Sequence, residues 1–254
     1  VSFEIALNEL GGHAINLDAG MVGIGKRERI DDVARNLERW VHVIVFRTFS
    51  QQRLSDLATN SRAPVINALT DSYHPCQALA FGQTLRERLG ETVDGPVVFI
   101  GDGNNVCCSL MILCATLGID FTVACAQGYE PPSQLMDQCT KRAAKRGASV
   151  AINHNPADAV VGAAALYTDV WASMGQENEK DKRARDFEGF QINDSLLSRA
   201  RDDAIVSHCL PAHRGEEITD EVLDSSCCVA FDEAENRMHV QKAVISYQIG
   251  RAHV

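Results

Sequence analysis

Two patterns alternate along this chain, and the alternation limits what it can fold into. Short, β-branched apolar runs read as buried strands: VHVIVF (41–46), PVINA (64–68), VVFIG (97–101), DFTVAC (120–125), SVAI (149–152), ALYTDV (165–170) and AIVSHC (204–209). HAINL (13–17) reads as a further short strand. Between them lie stretches with apolar residues at helical spacing, such as Phe3, Ala6, Leu7 and Leu10, or Ile30, Val33, Ala34, Leu37 and Trp40. Ser50 is placed to cap one such helix and Pro75 to open another. Strand-helix alternation predicts α/β architecture, with parallel sheets flanked by helices and right-handed crossovers. GETVDG (90–95) reads as a boundary, so two lobes with a cleft between them are expected.

Composition narrows the function. The 254 residues suffice for one large or two modest domains, and no apolar run approaches the roughly 20 residues of a membrane span. No basic flank with an apolar core marks a signal peptide at the start. A net charge of −10 argues against general nucleic-acid binding, while leaving room for a local cationic pocket. Nine cysteines without a CxxC, mostly in apolar surroundings, suit reduced thiols in a cytoplasmic protein.

In open α/β sheets ligands bind beyond the carboxyl ends of strands, so the polar clusters there carry the functional information. Arg47 follows VHVIVF and suits bidentate recognition of a phosphate or carboxylate, or a surface ion pair. His74 and Gln77 flank Pro75 at a helix start, where an anion is favoured. GDGNN (101–105) invites a dinucleotide reading, but Val106 stands where that fingerprint wants Gly or Ala, and DFTVAC ends without a ribose-binding acid. A polar turn offering Asn104 and Asn105 fits equally well. Asp169 follows ALYT and suits an ammonium group. Ser173 and Met174 sit in a loop running into the charged stretch NEKDKRARD (178–186), either a solvated surface or a lid. In HCLPAHRG (208–215), Cys209 reads as a nucleophile, a metal ligand, a buried thiol or a substrate holder. His208 and Cys209 are adjacent and lack a recurrent ligand spacing, and from the motif alone a structural thiol is favoured. Arg237, in AENRMH (234–239), begins the last helical stretch.

HPCQ, GDGNN, DVWASMGQE, HCLPAHRGEE and AENRMHVQKA, in this order in one chain, resemble the ornithine carbamoyltransferases over nearly the whole length. The resemblance implies residues 1–90 as a carbamoyl-phosphate-binding domain, 91–232 as an ornithine-binding domain and 233–254 as a C-terminal helix returning to the first. It implies carbamoyl transfer from carbamoyl phosphate to the δ-amine of L-ornithine, giving L-citrulline and phosphate. No metal or organic cofactor is implied. A homotrimer with active sites at subunit interfaces is. Arg47, His74 and Gln77 would bind carbamoyl phosphate. Asn105, Asp169, Ser173 and Met174 would bind ornithine, and Cys209, Leu210 and Arg237 would lie where the substrates meet. Within that set Arg47, His74 and Cys209 would be catalytic, with Cys209 positioning the amine and assisting its deprotonation.

Two departures from the family pattern stand out. The family's Ser-x-Arg-Thr-Arg phosphate loop would immediately precede Val1, so the resemblance predicts an N-terminally truncated chain with impaired carbamoyl-phosphate binding. The final IGRAHV (249–254) reads either as an authentic terminus or as translated sequencing adapter. Phe81 occupies a position where the family usually has Asp. The competing expectations are a carbamoyltransferase for another amine (N-acylornithine or putrescine), a non-catalytic ligand-binding paralogue, and, on GDGNN alone, a nicotinamide-dependent dehydrogenase.

Overall fold

The structure is a computed structural model that describes residues 1–18, 23, 28–172 and 175–252. It divides into two compact units, Val1–Cys76 with Asn236–Val254, and Gln77–Glu235.

The first unit holds helices α1 (Ser2–Glu9), α2 (Ile30–Leu37) and α3 (Gln51–Thr59), strands β1 (Ile44–Arg47) and β2 (Val65–Leu69), and most of the last helix, α11 (Ala230–Ala252). β1 and β2 pair in parallel, with an irregularity between Phe46 and Arg47 that sets Arg47 opposite Leu69. Val33 and Ala34 of α2 pack with Ile44, Leu57 and Ala63. Ala6, Ile66, Cys76 and Ile245 form a second cluster. The Ser50 hydroxyl caps α3 by accepting from the Arg53 amide at 3.3 Å. Two local expectations differ. Residues 13–17 form no strand, and α2 stops at Leu37, leaving Trp40 74% exposed past its end. A short apolar run has no pull toward β structure without a sheet edge to pair with.

The second unit carries a five-stranded parallel sheet in the order β5-β4-β3-β6-β7, formed by β3 (Val97–Ile100), β4 (Phe121–Ala124), β5 (Val150–Asn153), β6 (Ala165–Thr168) and β7 (Ile205–His208). Every residue of β3, β6 and β7 is buried, as expected of parallel strands covered on both faces. Helix α4 (Pro75–Leu89) leads into its first strand, α5 (Asn105–Leu117) and α6 (Ser133–Ala144) are the long helices between its strands, and Gly118 ends α5 in the left-handed conformation (φ 80°). Shorter helices are α7 (Pro156–Ala159), α8 (Lys180–Asp186), α9 (Asp194–Leu197) and α10 (Asp220–Leu223). One core cluster joins Phe81 and Leu85 of α4 to Phe99, Met111, Phe121 and Tyr167. The compact units divide at Cys76/Gln77, inside α4, because α4 drives its apolar face into the second core. Among the described residues, no helix is long and apolar enough to cross a membrane.

Candidate active site

In the second unit the sheet order reverses between β3 and β6. A parallel sheet leaves its ligand-binding crevice at such a switch point, beyond the carboxyl ends of the strands. The loops leaving β3, β6 and β7 bring Asn104, Asp169 and Cys209 together there. Cys209 Sγ–H donates to Asp169 Oδ1 at 2.7 Å, Asn104 Nδ2 donates to Asp169 Oδ2 at 2.8 Å, and the Val170 amide donates to Oδ1 at 2.8 Å. Asn104 also caps α5, its Oδ1 accepting from the Val106 and Cys107 amides, so its rotamer is fixed from both ends. Asn105 is the first residue of α5, half-buried beside this cluster, and it is Asn104 that reaches Asp169.

The glycines of GDGNN have backbone explanations. Gly101 lies at φ 137°, and a Cβ at Gly103 would fall 2.4 Å from the Pro131 nitrogen. The positive φ at Gly101 and the close backbone approach at Gly103 therefore account for the two glycines without a dinucleotide. Asp102 accepts from Arg183 Nη1 at 2.6 Å, and that guanidinium also donates to the Trp171 carbonyl at 2.9 Å and, through Nε, to Glu179 at 3.0 Å. Burial raises the Asp102 carboxyl, while Arg183 opposes the rise. The charged stretch 178–186 is thus pinned by a buried arginine to the loops after β3 and β6. Ser173 and Met174 lie outside the described residues.

The HCLP segment is held by a second buried pair. The Leu210 amide donates to His208 Nδ1 at 2.8 Å, which places the ring proton on Nε2, and Nε2 donates to Glu217 Oε1 at 2.9 Å. The His213 amide reaches the same oxygen at 2.6 Å. Leu210 has φ 53°, a left-handed conformation that a leucine adopts only when its surroundings impose it, and a cis peptide joins it to Pro211. Ligand atoms of Asp169, His208 and Cys209 lie within 4.8 Å of one another, as do those of His213, Glu216 and Glu217. Either set has donors a metal accepts. In the first, however, both ring nitrogens of His208 already have hydrogen-bond partners.

Gln77 belongs to a third network. Its Nε2 donates to Glu233 Oε1 at 2.5 Å, Tyr167 Oη donates to the same oxygen at 2.8 Å, and Ser207 Oγ donates to Glu233 Oε2 at 2.5 Å. Glu233, Gln77, Tyr167 and Ser207 are all essentially inaccessible to solvent. Burial, then the neighbouring Glu233 charge, pushes the Tyr167 hydroxyl well up, so it stays a donor. Phe81 is fully buried, its ring edge-on to Tyr167 at 4.8 Å and 80°. The apolar ring at 81 fills core, and the carboxylate that these donors share is Glu233. No sequence motif marks Glu233, Tyr167 and Ser207 as a set. Gln77 and Glu233 are 156 residues apart, so no local spacing marks the pair.

In the first unit, Arg47 ends β1, His74 precedes Pro75, and Arg237 lies on α11. The loops after β1 and β2 are stitched together: Thr48 donates to the Leu69 carbonyl at 3.2 Å, Asp71 to the Phe49 carbonyl at 2.7 Å, and Thr70 Oγ1 to Gln51 Oε1 at 2.7 Å. That bracing presents His74. Burial, with help from the charges of Arg237 and Arg47, pulls the His74 imidazole from 6.5 to about 3, so at neutral pH it is uncharged between cations. Arg237 Nε is buried without a partner among the described residues. A neutral imidazole with two guanidinium groups in its field is suited to an anion carrying a polarised carbonyl.

Comparison with known proteins agrees with these features. Residues 1–87 match the model described as the aspartate/ornithine carbamoyltransferase carbamoyl-P binding domain, and residues 94–248 match the Asp/Orn binding domain of the same family. The ornithine carbamoyltransferase of Rhodococcus opacus is 47% identical over 251 residues, covering 98% of this chain and 80% of the relative. The solved structure of ornithine carbamoyltransferase from Pyrococcus furiosus superposes with a TM-score of 0.94 at 48% identity, covering 98% of this chain and 80% of that one. An acetylornithine transcarbamylase complexed with acetylcitrulline gives 0.85 at 31% identity, covering 97% and 84%.

Proposed function

The chain belongs to the aspartate/ornithine carbamoyltransferase family, and on that premise we propose that it transfers the carbamoyl group of carbamoyl phosphate to the δ-amine of L-ornithine, yielding L-citrulline and phosphate. The observation that carries this reading is the Asn104–Asp169–Cys209 cluster at the switch point of the second unit's sheet. We assign carbamoyl-phosphate binding to residues 1–90, ornithine binding to 91–232, and the returning helix to 233–254. Grouping of residues 236–254 with 1–76 supports the last of these.

The uncharged δ-nitrogen attacks the carbamoyl carbon, a C–N bond forms, the C–O bond to phosphate breaks, and the nitrogen sheds one proton. No covalent enzyme intermediate is needed, and most of the acceleration comes from orienting two bound substrates. Arg47, His74 and Arg237 serve the anionic donor: the guanidinium groups neutralise phosphate charge, and the His74 N–H meets oxygen charge as it develops. Gln77 addresses the carbamoyl group. Asp169, fixed by three donors, orients the amine substrate, with Asn105, Ser173 and Met174 completing its binding. Cys209, 2.7 Å from Asp169, holds the amine and assists its deprotonation. The imposed backbone at Leu210, whose amide is already held by His208, supports a role for its carbonyl beside the reacting groups. We assign the protein to a cytoplasmic homotrimer; nine free thiols, six of them buried, favour a reducing compartment.

The test is citrulline-type product formation by the full-length protein with ornithine, N-acetylornithine, putrescine and aspartate as separate acceptors, with light scattering for the trimer. Product with ornithine alone is expected. A higher kcat/KM for any other acceptor would overturn the assignment of substrate, and no product from a folded trimer would favour a non-catalytic paralogue.

A further inference from the structure

The carbamoyl group differs from an acetyl group only in bearing NH2 where acetyl has CH3. An enzyme for carbamoyl phosphate therefore gains selectivity from a fixed acceptor aimed at that nitrogen. A glutamine side chain supplies an acceptor only if something decides which end of its amide faces the ligand, because its two ends are nearly the same shape.

We propose that Glu233 is the positioning residue that makes this decision, orienting the Gln77 amide so that its oxygen reads the carbamoyl NH2. An ionised carboxylate only accepts. Glu233 takes Gln77 Nε2 at 2.5 Å, and its other oxygen takes Ser207 Oγ at 2.5 Å while Tyr167 Oη adds a donor at 2.8 Å. All of these groups are donors, as an ionised acceptor requires. Gln77 is thereby locked with Nε2 inward, and its Oε1 is left buried without a partner among the described residues. A buried acceptor left without a donor is costly, which favours a ligand that brings one. A flipped Gln77 would set its oxygen against the Glu233 carboxylate and offer N–H to the ligand, repelling a carbamoyl NH2. This assignment rests on the carbamoyl-transfer reading above.

The experiment is direct calorimetric binding of two stable carbamoyl-phosphate mimics to the full-length protein. Phosphonoacetamide bears the carbamoyl NH2, and acetonylphosphonate bears CH3 in its place. Wild-type protein prefers the amide by about tenfold or more, the worth of one good hydrogen bond. In Glu233→Gln the new amide can donate to Gln77 Oε1, Gln77 can flip, and the preference falls to about threefold or less while acetonylphosphonate affinity changes little. Glu233→Asp keeps an acceptor-only carboxylate, so it retains most of the preference; it also decides the matter if the Gln variant does not fold. A preference that persists in Glu233→Gln, that is lost as fully in Glu233→Asp, or that is absent from the wild type overturns the proposal. Citrulline assays on the same preparations separate the two readings. Activity with an unchanged mimic preference removes Glu233 alone, whereas absence of activity with an intact, Glu233-dependent preference removes the transfer reaction alone.

Discussion

Phe81 gives the sharpest test of how the second unit is held together. Restoring the family's usual residue, Phe81→Asp, looks conservative by family pattern, and the structure predicts the opposite. The ring is 0% exposed, packs on Tyr167 at 4.8 Å, and shares a cluster with Leu85, Phe99 and Met111. Removing it to Ala costs about 3–5 kcal/mol from lost transfer energy and the cavity left behind, and loss of the aromatic contact belongs to that total. Asp adds the burial of a carboxyl beside Tyr167, whose hydroxyl is already committed to Glu233; a buried polar group without a partner costs roughly 2 kcal/mol or more, and an ionised one more still. The sum, about 5–7 kcal/mol, rivals the roughly 5–15 kcal/mol that a whole domain possesses. At about 2–4 °C per kcal/mol, Phe81→Ala should lower Tm by roughly 6–20 °C, and Phe81→Asp should melt lower again or fail to fold. Differential scanning calorimetry of wild type, Phe81→Leu, Phe81→Ala and Phe81→Asp measures the series. An Asp variant as stable as wild type would refute the packing argument, because a polar or solvated pocket would then have to surround position 81.

Asp169→Asn should raise the ornithine KM by about a hundredfold while moving the carbamoyl-phosphate KM by about threefold or less, since it removes a charge held by three donors; equal effects on both constants would argue against the assignment. Cys209→Ala should lower kcat about ten- to a hundredfold and shift the alkaline limb of its pH profile, and an unchanged ornithine KM, turnover and profile would remove Cys209 from the chemistry. His74 has a folded pKa of about 3, below its ordinary 6.5, so the unfolded chain binds the extra proton between those values and stability rises with pH across that window. Wild-type stability measured against His74→Gln should therefore fall as pH drops from about 6.5 toward 3, by at most ~1.4 kcal/mol per pH unit; a flat difference would show that His74 titrates normally. Brief iodoacetamide treatment of native protein should label only Cys209, Cys227 and Cys228, the half-buried thiols, leaving the six buried ones for the denatured chain; early mass gain at Cys107 or Cys114 would contradict their burial.

The parallel sheets were legible because apolar strand runs alternate with helical periodicity, and the polar clusters were legible because they follow strands immediately. Asp169 and Cys209 could each be marked that way, but their 2.7 Å contact depends on β6 and β7 being neighbours in the sheet, which local patterns do not encode. Asn104 and Asn105 were interchangeable on paper. Both side-chain oxygens accept from the Val106 amide, but Asn104 precedes α5 as its cap and it is Asn104 whose Nδ2 reaches Asp169. HAINL forms no strand, and Trp40 falls outside the predicted helix because α2 ends one turn earlier. Glu233 was invisible for a different reason: in sequence it is one acid among several at a helix start, and only tertiary packing brings Gln77, Tyr167 and Ser207 to it.

That network also constrains how the sequence can drift. Gln77, Tyr167 and Ser207 come from three separate elements yet share one buried carboxylate, so replacing any one of them removes a donor that the other two do not replace. Substitutions at these positions are therefore strongly epistatic. A homologue that exchanges Glu233 for a neutral residue is free to change its donors, whereas one that keeps the acid keeps the donors. The four positions should accordingly co-vary as a block across homologues, and a double replacement of Glu233 with one donor should be milder than the donor replacement by itself.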